Sequence, residues 1–459
     1  MLDRFREECG LMGVWGHPEA ANLAYLGIFA VQHRGQEGAG IVALEPETKK
    51  FSAHRGLGLV ADIFDQFDFE KLPGKAAIGH NRYTTAGGNV LANVQPFYSQ
   101  VSRGGLAVAH NGNLINTDAL RQKLIREGAI FSSSSDTELF LHLIARSDPK
   151  LPVIEAVKKS LEQTKGAYSL LILLEDRLLA VRDPAGLRPL AMGRLDGDGA
   201  VVFASETCAF DLIGATYERD VEPGEIVEVT DSGIKSYFPF EKQSPTPCIF
   251  EYVYFSRPDS KVFKQNVYSI RSKMGEELAR EHPVKADLVI PVPDSGVTAA
   301  MGYSRASGIP IEQGLIRNHY IGRTFIEPQQ SIRDFGVKIK LNANPGVVSG
   351  KDIVVVDDSI VRGTTVKKLI HMLRRAGANK VHMRISAPPT TDPCYYGVDT
   401  PSKGELIASR LSVEEIKDFI GADSLGYLSI EGLYKASGGS EYCAACFTGK
   451  YPLGTPADF

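Results

Sequence analysis

The chain has 459 residues, 43% of them hydrophobic and 23% charged, enough to bury the cores of roughly two to four domains and too many for one small module. With 51 Lys plus Arg against 55 Asp plus Glu, the net charge of -4 leaves no broad basic field for nucleic acid or an anionic membrane. The best apolar run, residues 167–174, stops at Glu175 and is far shorter than the ~18 residues of a membrane span. Residues 1–8 carry charges where a secretory signal needs an apolar stretch, so a cytoplasmic protein is expected.

In chain order, short β-rich runs at residues 107–109, 169–174, 200–204 and 226–229 alternate with Gly-rich turns, and few strong helices intervene. This predicts an α+β first half with extensive sheet. The Pro-rich stretch at residues 244–247 marks the main boundary. Beyond it, Val267, Ile270, Met274 and Leu278 have helical spacing and lead to a strand at 288–292. A second strand at 353–356 precedes a helix with Val366, Leu369, Ile370 and Leu373 on one face and Gly377 placed for its C-terminal cap, and a third strand follows at 381–386. Strand, crossover helix and strand predict a parallel sheet that holds ligands beyond the carboxyl ends of its strands.

The strand at 353–356 runs into Asp357, Asp358, Ser359, Ile360, Val361, Arg362, Gly363, Thr364 and Thr365. The backbone N–H groups of this turn, the hydroxyls of Ser359, Thr364 and Thr365 and the positive end of the following helix would cradle a phosphate. Asp357 and Asp358 would face sugar hydroxyls and a Mg²⁺. The plain alternative, a strand end followed by an N-cap, is disfavoured by so hydroxyl-rich a turn. The earlier strand ends in Pro293, Asp294, Ser295 and Gly296, where the glycine permits close approach to a diphosphate, although alone this reads first as a plain turn.

Together the two loops resemble the type I phosphoribosyltransferases over roughly residues 248–399. The resemblance implies that Asp294, Ser295, Gly296, Asp357, Asp358, Ser359, Arg362, Gly363, Thr364 and Thr365 bind phosphoribosyl pyrophosphate. It also implies that Ser295, Asp357 and Asp358 hold Mg²⁺, which offsets the charge of departing pyrophosphate.

The first half suggests a nitrogen source. If cleavage after Glu8 exposes Cys9, its α-amino group can serve as general base for its own thiol. Arg82 could fork onto an α-carboxylate and Asp136 could hold an α-ammonium, while Asn111 and Gly112 could supply oxyanion donors. Each has a structural alternative: a surface ion pair for Arg82, a type I′ hairpin turn for Asn111 and Gly112, an N-cap for Asp136. Their order, with Gln32, His33, Arg34, Gly35, Gln36 and Glu37 between them, resembles the N-terminal-nucleophile glutamine amidotransferases over residues 9–241. That implies an αββα sandwich that liberates ammonia from glutamine.

A glutaminase joined to a phosphoribosyltransferase resembles the glutamine phosphoribosylpyrophosphate amidotransferases, which make 5-phosphoribosylamine at the start of purine synthesis. The resemblance implies a propeptide at 1–8, a glutaminase domain at 9–241, a phosphoribosyltransferase domain at 248–440 and a C-terminal segment at 441–459. It also implies a homotetramer, inhibition by purine nucleotides, and a loop over residues 320–342 that closes on the donor. In that loop Arg333, Lys338 and Lys340 either contact phosphate or are simply solvated.

Of six cysteines, Cys443 and Cys446 form a Cys-x-x-Cys pair, and Cys248 and Cys394 lie far away in sequence. Four thiolates suit tetrahedral Zn²⁺ or an iron–sulfur cluster. The family resemblance favours [4Fe–4S], with a structural role. Cys208 fits a core position best. Two rivals stay open: a hexosephosphate aminotransferase, which shares the first half, and a non-catalytic sensor of phosphoribosyl pyrophosphate.

Overall fold

A computed structural model describes residues 9–83, 88–197, 199–318 and 341–459. The first half holds two antiparallel sheets face to face. One has seven strands, with Gly10–Trp15 near its middle between Val201–Ala204 and Ala76–Arg82. The other has six, with Gly166–Leu174 paired along its whole length to residues 106–114 of the strand Gly104–Leu114. Leu11, Trp15, Ile78, Leu171, Leu173 and Phe203 interdigitate between them. The helices Ala20–Ala30 and Cys208–Ile213 cover the outer face of the first sheet, and Thr117–Arg126, Thr137–Ala145 and Val153–Leu161 that of the second. This is the expected four-layer αββα sandwich.

The expectation of few helices here is corrected. Thr137–Ala145 buries Leu139, Phe140, Leu141, Leu143 and Ile144, and Ala20–Ala30 is apolar on nearly every side, so neither carries the contrasting polar stripe by which a helix is recognised in sequence.

The second half contains a parallel sheet in the order Leu288–Pro291, Asp352–Asp357, Lys380–Ile385 and Ser424–Tyr427. Helices Val267–Glu281 and Val297–Ser307 pack on one face, and Thr364–Arg375 and Val413–Ile420 on the other. Val366, Leu369, Ile370 and Leu373 are all buried, and Gly377 takes φ +97 just past the C-cap at Ala376. Pairing of Pro291 with Val356 delivers both strands' carboxyl ends to one edge. Among the described residues no helix is long and apolar enough to cross a membrane.

Candidate active sites and a cysteine junction

Cys9 is buried immediately before the strand Gly10–Trp15. The chain must come in tightly here: a Cβ on Gly10 would stand 2.2 Å from Asn81 Oδ1. The Cys9 thiol lies 3.7 Å from the carbonyl of Tyr83, and Arg82 next to it is buried at the end of Ala76–Arg82, where it donates to the carbonyl of Gly88. A surface ion pair is therefore not its role. Residues 1–8, Thr84 and Thr85 lie outside the described residues, as does the loop from 319 to 340 with Arg333, Lys338 and Lys340.

Asn111 and Gly112 sit inside the strand Gly104–Leu114, so the hairpin-turn alternative is overturned. Gly112 takes φ +146, and a Cβ there would lie 2.1 Å from the carbonyl oxygen of Ala167 and 2.8 Å from His110 Nε2. Only glycine fits this kinked strand. The Asn111 amide nitrogen is buried without a hydrogen-bond partner.

Asp136 precedes the helix Thr137–Ala145 but its side chain does not cap it. Its Oδ2 accepts from the Leu114 N–H at 3.0 Å, and its Oδ1 stands 3.7 Å from His110 Nδ1. Burial works against ionisation of Asp136, yet His110 and the N–H groups of Leu114 and Thr137 hold its carboxyl below the usual range.

His80 and His110, which sequence reasoning passed over, join these pieces. His80 Nε2 lies 3.1 Å from the His110 carbonyl, linking the strand of Arg82 to that of Asn111. Burial pulls the His80 imidazole down to about 3, so it is neutral. Both lie on strands buried on each side around them, so neither alternation nor a charge pattern singles them out in sequence.

At the second site Ser295 Oγ donates to Asp357 Oδ1 at 3.3 Å, which brings the two loops together as expected. Asp357 and Asp358 are buried; the Asp358 N–H donates to Asp357 Oδ1 at 3.0 Å, and the Ser359 hydroxyl donates to Asp358. Neither carboxylate caps the helix Thr364–Arg375, whose N-cap is Gly363 at φ +79. Thr364 and Thr365 form its first turn, facing the loop with backbone N–H groups that suit an anion.

Three residues behave differently from the simplest expectation. Gly296 is required by its neighbour strand, because a Cβ would lie 2.3 Å from the Val356 carbonyl oxygen. Asp294 pairs with Arg317 near the surface, and Arg362 reaches Glu405 at 2.8 Å.

The four cysteines of the second half converge. Cys248 and Cys443 form a β-bridge, and the Ile249 N–H donates to the Cys443 carbonyl at 3.2 Å. The Cys446 carbonyl accepts from Thr391 at 3.0 Å, and Cys394 Sγ accepts from the Tyr396 N–H at 3.3 Å. None of the six cysteines is joined in a disulfide. Burial pushes the Cys443 thiol up to about 12, and burial together with Cys248, Cys394 and Cys443 raises Cys446 well above the usual thiol value. A soft cation bound among these thiols would reverse the opposition to ionisation at Cys443 and Cys446, although their present placement does not form a ligand set. Among the described residues no group of three or more His, Cys, Asp or Glu side chains is disposed to hold a metal ion. Cys208 lies apart, buried against the Ala30 carbonyl, as its core reading requires.

A model of the glutamine amidotransferase domain matches residues 80–211, and one of the phosphoribosyl transferase domain matches residues 263–400. Amidophosphoribosyltransferase 1, chloroplastic, of Arabidopsis thaliana is 57% identical over 98% of this chain and 79% of its own. A solved structure of the allosteric regulatory enzyme of purine biosynthesis matches with TM-score 0.92 and 51% identity over 97% of this chain and 96% of that one. The glutamine phosphoribosylpyrophosphate amidotransferase of B. subtilis, complexed with ADP and GMP, matches with TM-score 0.91 and 50% identity over 97% of this chain and 98% of that one.

Proposed function

The chain belongs to the amidophosphoribosyltransferases, the glutamine-dependent enzymes of the first step of purine biosynthesis, and on that premise we propose how its residues divide the work. The rival hexosephosphate reading falls with the phosphoribosyl transferase match over residues 263–400, and the non-catalytic sensor falls with family membership.

Once residues 1–8 are removed, the Cys9 α-amine takes the thiol proton and the thiolate adds to the glutamine amide carbonyl. Arg82 binds the α-carboxylate and Asp136 the α-ammonium. The buried, unpartnered amide nitrogen of Asn111, beside the Gly112 N–H, is the observation that best supports this reading, because an oxyanion formed there would give it the acceptor it lacks. Collapse of the adduct releases ammonia and leaves a thioester, which water cleaves to glutamate.

In the second half, the turn from Asp357 to Thr365 holds the ribose 5-phosphate and the loop at Asp294, Ser295 and Gly296 the pyrophosphate. Ammonia attacks the anomeric carbon as pyrophosphate departs. Ser295, Asp357 and Asp358 would hold Mg²⁺, which supplies charge neutralisation to the leaving group.

Cys248, Cys394, Cys443 and Cys446 would hold a structural [4Fe–4S] cluster, with Zn²⁺ as the alternative. The same reading includes the division at residues 1–8, 9–241, 248–440 and 441–459, a homotetramer, purine nucleotide inhibition and a cytoplasmic location. Nucleotide binding is suggested by the ADP and GMP of the B. subtilis structure, and the Arabidopsis relative is chloroplastic.

The deciding experiment is Cys9→Ala, assayed with glutamine and with high ammonia. Glutamine use should disappear and ammonia-dependent synthesis persist, because the transferase site does not contain that thiol. Full glutamine activity in the variant, or in protein still carrying residues 1–8, would refute the assignment.

A further inference from the structure

Four charged side chains with no solvent exposure meet where the two halves join: Arg34, Arg188, Glu206 and Glu251. Arg34 donates from Nε to the main-chain carbonyl of Cys9 at 3.2 Å. Its terminal nitrogens reach Glu206 Oε1 at 2.6 Å and the two Glu251 oxygens at 2.9 and 2.7 Å. Glu251 Oε2 also accepts from Ser256 Oγ at 2.7 Å, and Arg188 Nη1 stands 3.6 Å from Glu251 Oε1.

Glu251 opens a short π-helix, Glu251–Phe255, that belongs to the phosphoribosyl-binding half. Behind it, Arg271 donates to the carbonyls of Tyr252 at 2.6 Å and Ser256 at 2.8 Å. Hydrogen bonds thus run from Arg271 through Ser256, Glu251 and Arg34 to Cys9, the residue proposed as nucleophile.

Stability alone is a weak reason for this arrangement, since buried ion pairs are commonly replaced by apolar side chains without loss. What the guanidinium fork provides is orientation: it fixes three partners in one plane, which a lysine cannot do. We propose that Glu251 is a positioning residue of the glutaminase, holding Arg34 against the Cys9 carbonyl so that a carboxylate of one half sets the nucleophile of the other. The proposal rests on Cys9 being that nucleophile.

The test is Glu251→Gln in the full chain, with Cys9→Ala as its control. Displacing a nucleophile by a fraction of an ångström should lower the glutamine-dependent kcat about tenfold or more. The glutamine KM and the ammonia-dependent rate should stay within about twofold, because neither requires the thiol to be aligned. Ser256→Ala, which removes only one hydroxyl, should give the same split at smaller amplitude, and it decides the matter if Glu251→Gln does not fold. Parallel loss of both activities, a rise in KM alone, or an unchanged glutamine-dependent kcat overturns the proposal. If Cys9→Ala itself retains glutamine use, the nucleophile assignment fails and the positioning role goes with it.

Discussion

Asn111 and Glu206 are opposite ways of burying a polar side chain. Asn111 keeps an amide nitrogen out of water with no partner, an arrangement that costs ~1–3 kcal/mol in the resting protein and is sensible where a reaction supplies the acceptor. Glu206 is surrounded by donors: Arg34, His33 Nε2 at 2.7 Å, the Arg257 N–H at 2.8 Å and Ser260 Oγ at 2.7 Å. Burial pushes its carboxyl up, but His33 and Arg34 more than reverse this and hold it well below the usual carboxylate range. A carboxyl depressed on folding contributes stability that is fully present above its unfolded value of about 4.3 and is lost as pH falls through the folded one. Glu206→Gln should therefore lower the thermal midpoint near neutral pH, because removing one partner of a buried pair leaves the other charge uncompensated, at a cost of ~3–5 kcal/mol. It should also flatten the decline of that midpoint below about pH 4. Calorimetry of both proteins across that range checks this; parallel curves would show that Glu206 carries none of the acid sensitivity.

Elements differ in how openly the sequence declares them. The helix Thr364–Arg375 has one buried stripe and a solvated opposite face, so its period was visible and with it the βαβ unit and the loop that precedes the helix. Thr137–Ala145 has no such contrast, and the strands Gly10–Trp15 and Gly166–Leu174 are buried at every position, which removes the period of two. Local motifs were legible for the same reason: Asp357 and Asp358, or Asn111 and Gly112, are neighbours in sequence. Arg34, Glu206 and Glu251 are far apart along the chain and form one cluster only after folding, so no spacing announces them. The two acidic residues at the end of Asp352–Asp357 carry this scale's prediction. If these carboxylates act on the donor as proposed, Asp357→Asn and Asp358→Asn should each reduce pyrophosphate release roughly 100-fold with glutamine and with ammonia alike. Loss confined to the glutamine-dependent rate would contradict the role.

At the scale of the whole molecule, the C-terminal segment ties the second half onto the first. Cys443 and Ala445 share a buried cluster with Ile115, Ala167, Ala185 and Leu187 of the glutaminase sheets and with Tyr396. The loop that follows Cys394 lies directly on the strand Gly104–Leu114: Asn113 Nδ2 donates to the Tyr395 carbonyl at 2.9 Å, and Arg188 Nη2 to that of Tyr396 at 2.7 Å. A Cβ on Gly397 would come within 3.2 Å of Gly112. A cluster held by Cys248, Cys394, Cys443 and Cys446 would therefore brace the wall of a catalytic site in which it performs no chemistry. Without it, the loop at Tyr395 to Gly397 keeps its hydrogen bonds to Asn113 and Arg188 but loses the covalent tie through Cys394. Cys443→Ser should lose iron and sulfide, melt at a lower temperature, become more sensitive to proteolysis and lose glutamine-dependent activity in step with those changes. Metal and sulfide analysis of protein purified without oxygen, paired with thermal melts, provides the check. A variant that keeps its iron, its sulfide and its midpoint would remove Cys443 from the ligand set, whereas stoichiometric zinc without sulfide in the parent protein would identify the other metal.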